Sequence, residues 1–178
     1  RIAAGALRGW EDGVNVAVMV MRNTDGAVVG YVGAADPVSP SRNGYVDLVR
    51  ADRSPGSTLK PFIYAMAFEQ LLVHPDTIVA DQPVNLAGYR PDNADGVFSG
   101  DISIRQSLVL SKNTVPVMLL DKIGVEAFLA RFRSVGAPMK LAASDGEAGL
   151  AVALGGIGVS LQNLVWFYSA FANEGELM

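Results

Sequence analysis

The sequence contains no cysteine, and its single histidine, His74, precedes Pro75. The absence of thiols excludes disulfides, cysteine nucleophiles and thiolate metal sites. A histidine-based zinc site normally needs more imidazoles than this chain has. A Ser-His-Asp triad would depend on His74, which has no supporting motif around it. A nucleophilic serine here therefore needs a base other than histidine, and lysine is the available candidate.

The chain also lacks a basic surplus and long apolar runs. Its net charge is −4 and its pI is about 4.9, so no basic face is available for phosphates and nucleic acid is not a predicted partner. No apolar run approaches the roughly 18 residues that span a bilayer. Half of the residues are hydrophobic and 18% are charged, which is typical of an ordered globular chain.

The start of the chain bears on its organisation. The 178 residues suit one domain or a large part of one. No signal peptide opens the sequence, which begins at Arg1 in what reads as the tail of a helix. We therefore expect a piece of a longer protein.

The glycine-rich segment at 155–158 lacks the flanking strand and lysine of a phosphate-binding loop, and no cofactor is predicted.

The order of predicted elements indicates an α+β fold. Two β-rich runs, 14–21 and 27–33, flank Asp25-Gly26, a strong hairpin signal. Residues 80–100 are rich in turn formers. Helical patterns cover 58–72, 114–123 and 125–134. A short helix starts at a capping box at Ser103 and ends near 110, and a last helix at 161–173 follows the cap residue Ser160. Helices without regular β-α alternation favour α+β over a doubly wound sheet.

A serine lies three residues before a lysine in the segment RSPGSTLKP, at the start of a helical pattern. Residues three apart share one face of a helix, so the Ser57 hydroxyl and the Lys60 amine can approach each other. A desolvated lysine with a lowered pKa can take a serine proton. Taken alone, the spacing fits an ordinary helix N-cap at Ser57 with a solvated Lys60 better.

Two further polar segments accompany this pair. Ser111-Lys112-Asn113 falls in the break between two predicted helices, where side chains can project into a cleft. There a hydroxyl can relay a proton and a carboxamide can hold an amide-bearing substrate. Tyr89 and Asn93 belong to a rigid polar loop, which we expect to line the same cleft. A helix N-cap and a surface turn are the simpler interpretations of these two segments.

Together the segments resemble the transpeptidase domain of penicillin-binding proteins, within the serine penicillin-recognising superfamily and nearest to its bifunctional class A members. That superfamily pairs S-x-x-K with an S-x-N triplet. The resemblance runs along nearly the whole chain. It is carried by the opening hairpin and by RSPGSTLKPFIYAMAFEQ, GYRPDN, FSGDISIRQSL, SKN and ALGGIGVSLQNLVWFYSAFANEG.

The resemblance implies a fold, a reaction and partners. The fold is that of the serine β-lactamases and transpeptidases, with a helical subdomain and part of an antiparallel sheet. Ser57 would attack the D-Ala-D-Ala carbonyl of a peptidoglycan stem peptide, or a β-lactam that imitates it, and its N–H would supply half of the oxyanion hole. Lys60 would be its base, Ser111 would pass protons, and Asn113, Tyr89 and Asn93 would contact substrate. The family acts at the periplasmic face of the bacterial inner membrane, held there by an N-terminal anchor.

The sequence departs from the family in its third motif, because no Lys-Thr-Gly or Lys-Ser-Gly occurs anywhere. We therefore expect residues 1–178 to be a partial transpeptidase domain without its C-terminal strands. Within it, 14–33 would form the N-terminal hairpin of the sheet and 57–178 a mainly helical part. The family's glycosyltransferase domain would also lie outside this chain.

Two other functions remain open from the sequence. A β-lactamase or D,D-carboxypeptidase would use the same serine and lysine with water as acceptor. A non-catalytic β-lactam sensor or binding module would be acylated without transfer to an amine.

Overall fold

The computed structural model describes residues 2–10, 13–141 and 149–177. The chain divides into two compact units. One unit comprises Arg1–Arg53 and Val159–Met178, and the other comprises Ser54–Gly158. Every candidate site residue named above lies in the second unit.

The two units are built from six helices, six strands and two 3-10 turns within the described ranges. The helices are α1 (Ile2–Ala6), α2 (Lys60–Glu69), α3 (Ile104–Val109), α4 (Thr114–Ile123), α5 (Val125–Ser134) and α6 (Leu161–Ala172). The strands are β1 (Val18–Met21), β2 (Val28–Val32), β3 (Ile78–Asp81), β4 (Gly100–Ser103), β5 (Lys140–Leu141) and β6 (Ile157–Gly158). The first 3-10 turn is Gly56–Leu59 and the second is Leu150–Leu154.

The first unit consists of a hairpin and the helix α6. Strands β1 and β2 pair antiparallel, with Val18 opposite Val32. The turn before β2 is stabilised by Asp25, whose carboxylate accepts hydrogen bonds from the Ala27 N–H and the Arg22 guanidinium. Helix α6 begins at Ser160, whose hydroxyl accepts from the Asn163 N–H, and it packs against β1. Both strands are shorter than the runs that predicted them.

The second unit is mainly helical and has its core around α4. Seven of the ten α4 residues are buried, because the helix is apolar on nearly all sides and lies among α2, α5 and the second 3-10 turn. Leu59, Ile63, Val117, Leu120 and Phe128 are fully or almost fully buried there. The strands β3 and β4 form a separate antiparallel pair in this unit. This core holds the start of α2 beside the break between α3 and α4.

The helix predicted at 58–72 is divided. A 3-10 turn covers Gly56–Leu59, and the α-helix runs only over Lys60–Glu69. Its end is set by Leu71, which has a φ of 56°, a backbone conformation that no helix continues through. Pro61 stands in the first turn, where its missing N–H costs nothing.

The region at 80–100, predicted as turns alone, also carries the end of β3 and the start of β4. Asp81 pairs with Gly100 in this short hairpin. Glycine and aspartate are depleted in strands, so four-residue strands with these residues carry little sequence signal. By contrast, the capping box predicted at Ser103 is present, with Gln106 reciprocating.

Candidate active site

Ser57 lies in the first 3-10 turn with its side chain exposed. The turn is fixed by Pro55, whose carbonyl accepts from the Thr58 hydroxyl at 2.6 Å. Gly56 has a φ of 54°, a conformation that favours glycine. In the described part of the chain the Ser57 hydroxyl makes no hydrogen bond of its own. It therefore stands at the surface of the unit, able to meet a substrate.

The turn before Ser57 also rests on a second glycine, Gly155. A Cβ on Gly155 would lie 2.4 Å from the Gly56 nitrogen, a distance that real side chains do not tolerate. The Ser54 hydroxyl donates to the Gly155 carbonyl at 2.7 Å. Gly155 has a φ of 94° at the end of the second 3-10 turn. This backbone contact, which requires glycine, sets where the Ser57 segment lies.

Lys60 is buried, with 1% of its surface exposed. Its Nζ donates to the Ser111 carbonyl at 2.6 Å, to the Ser111 hydroxyl at 3.1 Å and to Asn113 Oδ1 at 2.7 Å. Burial lowers the pKa of Lys60 from 10.5 to about 8. At pH 7 such a lysine is neutral in roughly a tenth of molecules, which is enough for a base that is used and regenerated.

Ser111 presents both of its oxygens to this lysine because of its backbone conformation. Its φ is 53°, which is uncommon for a residue with a side chain and typical of functional sites. Its N–H donates to the Leu108 carbonyl and the following N–H of Lys112 donates to the Ser107 carbonyl. These two bonds close α3 and turn the chain toward α4.

Asn113 is held on three sides. Its Oδ1 accepts from Lys60, its Nδ2 donates to the Asp92 carbonyl at 2.7 Å, and its backbone N–H donates to Asn93 Oδ1 at 2.7 Å. The Nδ2 contact fixes which end of the amide faces the lysine. One amide hydrogen of Asn113 is left for another acceptor.

Asn93 and Tyr89 differ in how the structure places them. Asn93 is buried, with 5% of its surface exposed, and its Nδ2 donates to the Asp81 carboxylate and the Val97 carbonyl. These contacts favour a supporting role, and substrate binding by Asn93 stays a prediction. Tyr89 is half-buried, and burial raises its pKa. Its hydroxyl makes no hydrogen bond to Lys60, Ser111 or Asn113, so its substrate contact is likewise a prediction.

Asp81, which the sequence analysis did not select, is the buried acid behind this cluster. It has no exposed surface and accepts hydrogen bonds from Asn93, from the Thr114 hydroxyl at 2.5 Å and from the Ser99 N–H at 2.9 Å. Burial alone would raise its pKa, but these hydrogen bonds and the charge of Lys112 hold the pKa of Asp81 below its usual value. The carboxylate is therefore ionised at neutral pH.

Lys112, the middle residue of the Ser-Lys-Asn triplet, completes this second layer. Its side chain is 4% exposed. Its Nζ lies 3.1 Å from Asp95 and 3.7 Å from Asp81, and it donates to the Val97 carbonyl at 2.9 Å. The two lysines at the site therefore have separate partners, carboxylates for Lys112 and neutral oxygens for Lys60.

Within the described ranges, no group of three or more histidine, cysteine, aspartate or glutamate side chains is placed to hold a metal ion. None of the helices in those ranges combines the length and apolarity needed to cross a membrane.

The family model that matches the chain is the penicillin binding protein transpeptidase domain, over residues 16–178. The chain belongs to this family. Penicillin-binding protein 1C of Escherichia coli strain K12 is 41% identical over 163 residues, which are 91% of this chain and 21% of that protein. Penicillin-binding protein 1A of Neisseria meningitidis is 37% identical over 157 residues, which are 84% of this chain and 19% of that protein. The chain thus spans about a fifth of the length of these relatives.

Solved structures confirm the predicted α+β fold. A peptidoglycan glycosyltransferase from Burkholderia ambifaria superimposes with a TM-score of 0.80 at 21% identity, covering 99% of this chain and 58% of that one. The PonA1 protein of Mycobacterium tuberculosis, solved in complex with penicillin V, gives a TM-score of 0.79 at 21% identity and covers 97% of this chain and 48% of that one. The chain has the fold of a penicillin-binding protein transpeptidase domain.

Proposed function

We propose that the chain is part of a serine D,D-transpeptidase that cross-links peptidoglycan, with Ser57 as nucleophile and Lys60 as its base. One observation supports this above the others. Lys60, the last residue of the Ser57-x-x-Lys60 motif, donates from its buried Nζ to Ser111 and Asn113 of the Ser-Lys-Asn triplet, about fifty positions further along the chain. An ordinary N-cap followed by a solvated lysine would have no such contacts.

Acylation begins with proton transfer. Neutral Lys60 takes the Ser57 proton, and the Ser57 oxygen attacks the carbonyl between the two D-alanines of a stem peptide. The Ser57 N–H lies in the first residues of the 3-10 turn, where N–H groups lack a partner within the turn. It is one donor for the negative oxygen of the tetrahedral intermediate.

Collapse of the intermediate needs a proton on the leaving nitrogen. The Ser111 hydroxyl lies 3.1 Å from Lys60 Nζ, so it can pass the proton from the lysine to departing D-alanine. The same relay, run in reverse, deprotonates the amine of a second stem peptide that attacks the acyl-enzyme. The remaining amide hydrogen of Asn113 holds the carbonyl of the substrate's peptide bond. Tyr89 lines the substrate cleft.

We extend the proposal to the longer protein. Residues 1–178 form a partial transpeptidase domain, in which the hairpin at 14–33 belongs to the sheet and the stretch 57–178 is mainly helical. A segment outside these residues supplies the Lys-Thr/Ser-Gly motif, the second oxyanion donor and the contacts to the substrate carboxylate. The full gene product would also carry a glycosyltransferase domain and act at the periplasmic face of the inner membrane.

The test is covalent labelling of the full gene product by a fluorescent penicillin. Ser57→Ala should abolish labelling, because the proposal makes the Ser57 hydroxyl the group that forms the ester. Ser134→Ala, which removes an exposed hydroxyl on α5, is the matched control and should label at the wild-type rate. Labelling of Ser57→Ala at the wild-type rate would overturn the proposal.

The acceptor is tested separately. A transpeptidase should open at most about one equivalent of a chromogenic cephalosporin in a burst, since its acyl-enzyme hydrolyses slowly. Continuous turnover would instead show a β-lactamase. Acylation by a stem peptide without transfer to any added amine would show a sensor or binding module, and cross-linking between two stem peptides is the result we expect.

A further inference from the structure

We propose that Asp81 is a positioning residue for the Lys60 amine, acting through Asn93 and Asn113. This inference rests on the proposed function, since it assigns what holds the base of that reaction in place. Asp81 itself does not contact Lys60 within the described hydrogen-bond network, and nothing in the family motifs includes it.

Three successive residues at the break between α3 and α4 converge on this one carboxylate. Lys112 forms an ion pair with Asp81 at 3.7 Å. Asn113 donates its backbone N–H to Asn93, which donates to both Asp81 oxygens at 2.9 and 3.0 Å. Thr114 donates its hydroxyl to Asp81 at 2.5 Å. The carboxylate at the end of β3 therefore fixes the start of α4 from all three positions.

The charge of Asp81, together with the Val97 carbonyl that also accepts from Asn93 Nδ2, decides the orientation of the Asn93 amide. A carboxylate only accepts hydrogen bonds, so it requires the amide nitrogen of Asn93 to face it. The amide oxygen must then face the other way, toward the Asn113 N–H, which it meets at 2.7 Å. If the amide were reversed, the Asn93 NH2 group would face the Asn113 N–H, and the Asn93 amide oxygen would face the Asp81 carboxylate. Both contacts would be repulsive.

Asn113 in turn helps to position the lysine through a direct hydrogen bond. Asn113 Oδ1 is one of the three acceptors around Lys60 Nζ, and Ser111, which supplies the other two, is only two residues away on the same turn. The charged and titratable groups around Asp81 in the described residues are Lys112 and Asp95 from the loop side and Tyr64 from α2. None of them replaces Asp81 as an acceptor for Asn93.

Asp81→Asn keeps the shape and removes the charge, so it tests this chain of contacts. Its amide must turn an NH2 group toward donors, so Asn93 keeps only the Val97 carbonyl as an unchanged acceptor and Asn113 can move. Displacement of a catalytic group by about 1 Å can cost on the order of 10²-fold in rate, and we expect a loss of that size in the rate of penicillin acylation. Lys60 would also lose an acceptor that stabilises its charged form, so the midpoint of the pH–rate profile should move to lower pH.

The measurement is the pH–rate profile of acylation of the full gene product, with rates expressed per labelled molecule. Asp95→Asn is the matched control, because it removes a carboxylate from Lys112 but leaves Asn93 and Asp81 in contact. Its side chain is 58% exposed, and we expect its rate to stay within about threefold of wild type. A merely structural role for Asp81 would reduce the number of labelled molecules and leave the midpoint and the rate per molecule unchanged, which would overturn the inference.

Asn93→Ala gives a second variant in case Asp81→Asn fails to fold. It cuts the link between Asp81 and Asn113 while leaving Lys112 and Thr114 bound to the carboxylate. We expect the same direction of change in both rate and midpoint, and an unchanged profile would overturn the inference. Failure of the proposed function is distinguishable, because it appears as labelling of Ser57→Ala, whereas failure of this inference leaves Ser57→Ala inactive.

Discussion

The Lys60 amine lies 2.7 Å from Asn113 Oδ1, although 53 positions separate the two residues in the chain. The contact joins the first turn of α2 to the residue before α4, and it forms where the lysine has almost no exposed surface. A buried ammonium that faces only neutral oxygens is poorly stabilised. This relationship explains how a lysine can serve as a base near neutral pH.

The rate of acylation by penicillin should therefore depend on the protonation of Lys60. In the proposed mechanism the base is the neutral Lys60 amine, whose fraction rises with pH until the pKa of about 8 is passed. We expect the rate to increase about tenfold per pH unit below that value and to level off above it. Stopped-flow fluorescence at a series of pH values measures this. An acylation rate that stays constant between about pH 6 and about pH 9 would show that Lys60 is not the base.

Substitution of Lys60 separates its basicity from its charge. Lys60→Arg keeps a positive charge but cannot lose its proton at any accessible pH, so acylation should fall by on the order of 10² to 10⁴-fold. The acylation rate of Lys60→Ala should fall by a similar factor, and its circular dichroism spectrum should show that the fold remains intact. If Lys60→Arg acylates as fast as the wild type, the lysine acts only through its charge.

Gly155→Ala should slow acylation without removing any functional group. The new Cβ would lie 2.4 Å from the Gly56 nitrogen and 2.6 Å from its Cα, so the turn that carries Ser57 must move. We expect a loss on the order of 10²-fold in acylation rate. Gly149→Ala is the control, because its Cβ meets nothing within 4 Å and its φ is −89°. Equal rates for both variants would show that the contact with Gly56 does not position Ser57.

Acid should selectively remove the stabilisation that comes from Asp81. Its folded-state pKa is below the ordinary value of 3.8, so its contribution is full above that pH and is lost as the pH falls through the folded-state pKa. Asp81→Asn should be destabilised by about 3–5 kcal/mol at neutral pH, and the difference from wild type should shrink as the pH falls below 3.8 and through the folded-state pKa of Asp81. Urea unfolding across this range measures it.

The exposed acid Asp76 provides the comparison for that experiment. It pairs with Arg105 at the surface, so Asp76→Asn should change the free energy of unfolding by no more than about 0.5 kcal/mol. A difference in unfolding free energy between Asp81→Asn and wild type that does not shrink at any pH below 3.8 would contradict the assignment of the buried charge.

The isolated 178 residues should be acylated far more slowly than the full gene product. Loss of one oxyanion donor alone costs on the order of 10² to 10³-fold, and we propose that a further segment supplies that donor. Labelling with penicillin should be compared for the chain alone, the chain with the downstream segment added, and the full product. Fast and complete labelling of the chain alone would show that these 178 residues contain the whole site.

The elements that carry the candidate site were predictable in part from local spacing, while the roles of its residues stay predictions. The capping box at Ser103 and the cap at Ser160 fix the starts of α3 and α6 as predicted, and the three-residue spacing of Ser57 and Lys60 places both at or just before the start of α2. These features depend on neighbours in sequence, so pattern alone carries them.

The parts that escaped prediction depend on distant neighbours. Asp81 ends a four-residue strand among turn formers, and its partners Asn93, Ser99 and Thr114 are 12 to 33 positions away. No local pattern distinguishes such an acid from a surface aspartate. No local sequence pattern predicts the close approach of Gly155 to Gly56 either, because it joins two turns about a hundred positions apart.

The most direct test of the central claim is to locate the covalent adduct. The full gene product would be treated with penicillin, digested, and sequenced by tandem mass spectrometry, with Ser57→Ala treated in parallel. The account predicts a penicilloyl group on Ser57 and no adduct anywhere in Ser57→Ala. An adduct on Ser111, or on any residue other than Ser57, would contradict it.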